Sequence, residues 1–180
     1  LLVVRINTNR SYTILNQHKV MVRLGEGEFV KQRLRQEAME RTILVLRRFA
    51  DMARNLGAEE IYAVATSATR DAENRDVFIE RVRKAADIDL KVISGLEEAR
   101  LIYLGVAHAL VDDEGKRLVV DIGGGSTEFI IGERFESLLR ESLHMGCVSF
   151  ARQFFADGRI TERSYAKAYT AARLELMPVE

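Results

Sequence analysis

A single cysteine, Cys147, stands in the whole chain. That count excludes a disulfide framework and a cysteine-based zinc site, and it points to a reducing compartment such as the cytoplasm. The three histidines, His18, His108 and His144, show no metal-ligand spacing. An excess of one charge is lacking as well. Lys plus Arg number 27 and Asp plus Glu number 27, so the net charge is zero. A polyanion must therefore be met by a local patch rather than by the field of the whole protein, and nothing points to nucleic acid as a partner. No apolar run reaches the roughly 18 residues of a membrane span, and no signal peptide or low-complexity tract is visible. What is present is an ordinary globular balance, 47% hydrophobic and 30% charged over 180 residues. That length is enough for one good core or two small ones.

The most informative stretch is 118–132, LVVDIGGGSTEFIIG. Leu118, Val119 and Val120 read as a buried strand that ends at Asp121. Gly123, Gly124 and Gly125 follow, then Ser126 and Thr127, and a second strand starts at once with Glu128. The pattern is strand, glycine turn, strand. It is therefore neither a Walker loop, which needs GK[ST] and a helix, nor a dinucleotide fingerprint, which opens a helix. A tight hairpin turn is one reading of it. An anion site is the other, and it is favoured: side-chain-free amides can approach an anion closely, and Asp121 can hold a divalent cation beside it.

Along the chain, strands are expected at 1–6, 12–16, 19–24, 61–65, 90–94 and 135–143. Amphipathic helices are expected at 30–56, 74–86, 95–110 and 148–155, with a last one starting near Thr161. The charged face of the long first helix is read as solvated. The polar segment 112–116 is the expected domain boundary, giving domains 1–113 and 114–180. The order before it is βββαβαβα, and βββα begins again after it. Two related halves facing each other across a cleft suggest, by fold analogy, an α/β actin-like, ribonuclease-H-like phosphotransferase.

Four ordered blocks carry a resemblance: AVATSATRDAENR at 63–75, VISGLEEARLIYLGV at 92–106, VVDIGGGSTEFIIG at 119–132 and MGCVSFARQFF at 145–155. The last three closely resemble the exopolyphosphatase / guanosine pentaphosphate phosphohydrolase (Ppx/GppA) family, and the first resembles a further block of it. The family's opening phosphate loop, D-x-G-S-N-S, has no counterpart here; Arg5–Asn9 (RINTN) is a poor substitute. LLVVRI aligns with the strand after that loop. The chain is accordingly expected to be a fragment that lacks the first strand of the first domain and most of the second.

The resemblance implies hydrolysis of a terminal phosphoanhydride on polyphosphate or guanosine pentaphosphate, the stringent-response alarmone, with Mg²⁺. Under it Asp121 binds the metal, Gly123, Gly124, Gly125 and Ser126 cradle phosphate through their amides, and the Ser126 and Thr127 hydroxyls add contacts. Glu98 is the expected general base, with helix-dipole compensation as its structural alternative. Glu97 lies about 100° round the helix and is expected to face solvent. Glu128 takes a secondary catalytic role, orienting water or metal. Arg70 is expected to clamp phosphate, with a surface ion pair to Asp71 or Glu73 as the alternative, and Ser67 is a weaker phosphate contact. A non-catalytic alarmone sensor and a sugar or acetate kinase are the competing functions. Retention of Glu98, Asp121 and Glu128 argues against the first, and the SGLEEA block favours hydrolysis over the second. Oligomeric state, including a homodimer, is left open.

Overall fold

The computed structural model describes residues 1–9, 11–25, 32–111 and 115–179. It falls into two compact units, Leu1–Val92 and Ile93–Glu180.

In the first unit, β1 (Leu2–Ile6) and β2 (Tyr12–Gln17) form an antiparallel pair. Helix α1 (Gln36–Asn55), strand β3 (Ala63–Ala65), the short helix α2 (Ser67–Arg70), helix α3 (Arg75–Ala86) and strand β4 (Leu90–Val92) follow, with β3 and β4 parallel. The apolar stripes of α1 and α3 meet over β4 around Met39, Ala50, Phe78, Val82 and Leu90, all buried. Glycine 57 ends α1. Its φ of +78° suits the left-handed position, and the Gly57 and Ala58 amides donate to Arg54 and Ala53 carbonyls in a Schellman arrangement. The Asn74 side chain accepts from the Leu34 amide at 2.9 Å and donates to the Leu34 carbonyl at 3.0 Å, which ties the approach to α1 to the start of α3.

Two expectations need correcting here. Residues 19–24 are not a strand. Arg23 sits at φ +52°, which breaks an extended run, and the Val22 carbonyl accepts from the Arg41 guanidinium of α1 instead of from a neighbouring strand. The first expected meander is thus a two-stranded hairpin among the described residues. The long helix begins at Gln36, not at 30; residues 30 and 31 lie outside the described residues.

The second unit contains α4 (Gly95–Ala109), the meander β5 (Lys116–Ile122), β6 (Thr127–Glu133) and β7 (Glu136–Leu143), then α5 (Cys147–Phe154) and α6 (Glu162–Leu176) with a 3₁₀ turn at Met177–Val179. Sheet order is β5-β6-β7, antiparallel throughout. One face carries Val119, Asp121, Glu128 and Ile130, and α4 packs on it through Ala99, Tyr103 and Ala107. The other face carries Leu118, Val120 and Ile122, which are 63%, 44% and 66% exposed. Among the described residues, the expected buried strand is therefore covered on one side only.

The expected boundary at 113/114 falls against residues 112–114, which lie outside the described residues. The compact division at Val92 and Ile93 places α4 with the sheet that it covers. No helix among the described residues is long and apolar enough to cross a membrane.

Candidate active site

Pairing of β5 with β6 sets Asp121 directly opposite Glu128, and pairing of β6 with β7 sets Ser142 opposite Glu128. Such partners stand about 5 Å apart at Cβ and share a face. Asp121 is exposed, whereas Glu128 is only 1% exposed. A buried carboxylate needs donors, and Ser142 Oγ supplies one to Glu128 Oε1 at 2.8 Å. Sequence reasoning did not single out Ser142. Its relation to Glu128 exists only once the strands are in register.

The glycine turn is held from behind by α5. The Cys147 amide donates to the Gly123 carbonyl at 2.9 Å, and the Val148 and Ser149 amides both donate to the Gly124 carbonyl at 3.0 Å. The Gly123 amide, expected in the phosphate cradle, is taken by the Ser126 carbonyl at 2.9 Å. The Thr127 hydroxyl, expected as a further contact, instead donates to the Met145 carbonyl and is buried. Ser126 is buried in the turn. The first turn of α5 comes within the MGCVSF block, but neither spacing nor composition announces that it docks on the glycines.

Helix α4 runs in the same direction as β6. The Tyr103 hydroxyl donates to the Arg134 carbonyl at 3.2 Å, and the His108 ring lies 4.8 Å from that of Phe135, so the C-terminal half of α4 sits at the β6–β7 turn. Its first turn points toward the glycine end of the sheet. Ser94 caps that turn, its hydroxyl accepting from the Glu97 amide at 3.1 Å. Glu97 and Glu98 then diverge. Glu97 bonds Arg100 at 2.7 and 2.8 Å. That contact, with the charge of Arg140 on β7 added, holds the Glu97 carboxyl below the usual carboxylate range. Glu98 is half-buried on the flank of Ile102, which packs with Val119 of β5 on one cluster. From Tyr103 back to Glu98 the helix rises about 7.5 Å, and helical side chains lean toward the N-terminus. Glu98 therefore stands in the turn of α4 nearest the sheet end that carries Asp121 and Glu128.

Ser67 and Arg70 belong to the first unit. Ser67 opens α2, and Arg70 Nε lies 3.7 Å from Asp71 Oδ1, with the arginine side chain 19% exposed. Among the described residues no group of three or more His, Cys, Asp or Glu side chains could hold a metal. Asp121 and Glu128 form a two-carboxylate set, which suits Mg²⁺ completed by phosphate oxygens and water.

A family model described as the Ppx/GppA phosphatase family matches residues 2–180. Guanosine-5'-triphosphate,3'-diphosphate pyrophosphatases of Aliivibrio fischeri and Vibrio vulnificus are each 41% identical over 179 residues, covering 99% of this chain and 36% of theirs. Among solved structures, an exopolyphosphatase from Cytophaga hutchinsonii matches with a TM-score of 0.88 and 32% identity over 99% of this chain and 57% of its own. The Aquifex aeolicus PPX-GPPA enzyme matches with a TM-score of 0.80 and 32% identity over 99% and 59%. The chain thus spans little more than a third of those two relatives and under three fifths of the two structures. The α/β fold of those structures, the match over nearly every residue, and the glycine turn flanked by Asp121 and Glu128 agree: the chain belongs to the Ppx/GppA phosphatase family.

Proposed function

We propose that this chain supplies the centre for hydrolysis of terminal phosphoanhydrides, on inorganic polyphosphate, guanosine pentaphosphate or both. The observation that carries the reading is the facing pair Asp121 and Glu128 beside a glycine turn whose carbonyls are engaged elsewhere. Hydrolysis needs a held phosphoryl group, neutralised charge and a positioned water. The Gly124, Gly125 and Ser126 amides hold the phosphoryl group. Asp121, with Glu128 behind it, holds Mg²⁺, which when bound offsets phosphate charge. Glu98 takes the proton from water. Arg70, and more weakly Ser67, stand as phosphate contacts on their place just after β3 and on the fork geometry of the guanidinium, and Thr127 positions the turn. The two-domain, actin-like, ribonuclease-H-like arrangement is part of the same proposal, supported by the recurrence of an antiparallel hairpin followed by helices in both units. A cytoplasmic location fits the exposed, free Cys147.

Phosphate release tests this reading, measured on polyphosphate and on guanosine pentaphosphate with and without Mg²⁺. The assay compares the 180-residue chain with a version extended to the length of its relatives. Release is expected from the extended version and little or none from the shorter one, which has no D-x-G-S-N-S loop. Binding of either substrate without release would favour the sensor instead. In the extended version, Asp121→Asn should lower activity in a manner partly recovered at high Mg²⁺, because it weakens the metal site. A loss that no Mg²⁺ concentration relieves would remove Asp121 from that role.

A further inference from the structure

We propose that the first turn of α5, seated on Gly146, is the positioning element that aims the glycine-turn amides at phosphate. The inference rests on the reading of that turn as a phosphate site. In a trans peptide the carbonyl of one residue and the N–H of the next point to opposite sides of the chain. Three successive carbonyls of the turn face α5. That of Gly123 accepts from the Cys147 amide, that of Gly124 from the Val148 and Ser149 amides, and that of Gly125 from Ser149 Oγ at 3.4 Å. The amides of Gly124, Gly125 and Ser126 are thereby turned the other way, as a row of donors on one side. Among the described residues, the Gly124 and Gly125 amides have no hydrogen-bond partner. The N-terminus of α5 is itself filled by the turn, so the helix is the clamp and the glycines are the site.

Gly146 makes this seating possible. A Cβ there would lie 2.3 Å from the Gly124 oxygen and 2.4 and 2.5 Å from the Gly124 and Gly125 carbonyl carbons, all backbone atoms. Its φ of −107° would accept any residue, so the requirement is space alone. Ser149 completes the clamp. Its hydroxyl accepts from the Gly146 amide at 3.1 Å and shares its one proton between the Gly146 carbonyl at 3.0 Å and the Gly125 carbonyl at 3.4 Å.

The test titrates inorganic tripolyphosphate into the 180-residue chain and its Gly146→Ala and Ser149→Ala variants. Calorimetry gives the affinity, and the ¹H–¹⁵N signals of Gly124 and Gly125 report the site, at a temperature where each protein is folded. The parent should bind with both glycine signals displaced. Gly146→Ala should bind at least about tenfold more weakly with altered free-state glycine signals, and Ser149→Ala a few-fold more weakly. A purely structural role would lower the melting temperature and leave these readouts in place. If Gly146→Ala does not fold, Ser149→Ala carries the comparison. If the parent responds and the folded variants respond equally, the positioning role fails while the phosphate site stands. If the parent signals do not move, the phosphate reading of the turn fails, and the positioning role with it.

Discussion

Replacing Glu98 by Gln in the protein at the length of its relatives should lower kcat by about 10²–10⁴-fold and change KM only a few-fold. The amide preserves shape and cannot accept a proton from water. The neighbouring Glu97→Gln is the internal control, because Glu97 is committed to Arg100 on the other flank of α4. Its activity should stay within about twofold of the parent, the range expected for an exposed ion pair. Steady-state kinetics of both variants across a Mg²⁺ titration separates the outcomes. A near-normal kcat for Glu98→Gln would reduce Glu98 to a helix-terminus charge and make Glu128 the leading base. Recovery by Mg²⁺ would make it a metal ligand.

Gly132→Ala should destabilise the second unit by about 3 kcal/mol, the upper end for overpacking a filled site. A Cβ at Gly132 would meet the Tyr103 ring at 2.2 Å and the Glu136 carbonyl oxygen at 2.5 Å. The ring is 1% exposed and the carbonyl belongs to the paired strand, so neither has room to yield. Gly132 is where α4 lies down on the sheet, and α4 carries Glu98. In the protein at the length of its relatives, activity should therefore fall along with stability. Urea denaturation followed by circular dichroism measures the loss, and Tyr103→Leu combined with Gly132→Ala tests its origin. The double variant should recover part of the loss, since the ring clash is relieved and the Glu136 clash remains. A loss below about 1 kcal/mol for the single variant would mean that the helix slides on the sheet freely.

Much of this was legible from local pattern. The glycine hairpin could be read because strand, turn and strand are contiguous, so no tertiary information was needed to set Asp121 and Glu128 at the same mouth. Thr161 and Gly57 marked a helix start and a helix end because capping is also local. Residues 19–24 misled because KVMVRL has strand composition. Whether such a run pairs depends on a neighbour, and here Arg41 of a distant helix takes the Val22 carbonyl. The exposure of Leu118 and Val120 was hidden for the same reason: periodicity reports apolarity and not what covers it. Gly146, Ser149 and Ser142 were beyond reach. Each acts on a partner that only strand register or helix docking brings near.

The position of β5 at the edge of its sheet bears on how steadily Asp121 is held. Among the described residues only β6 pairs with β5, and the Leu118, Val120 and Ile122 side chains have little to rest on there. Peeling β5 away breaks one ladder and the Val119 contact, and leaves Tyr103, Ala99 and Ile130 packed. Such a segment exchanges its amide hydrogens through local opening, at a lower free energy than the unfolding that central β6 requires. Protection in β5 should be clearly weaker than in β6, and equal protection would mean that the sheet opens as one piece. A ligand that bridges Asp121 and Glu128 joins the strand that opens first to the strand that opens last. In the 180-residue chain, occupancy would then slow exchange along β5 far more than along β6.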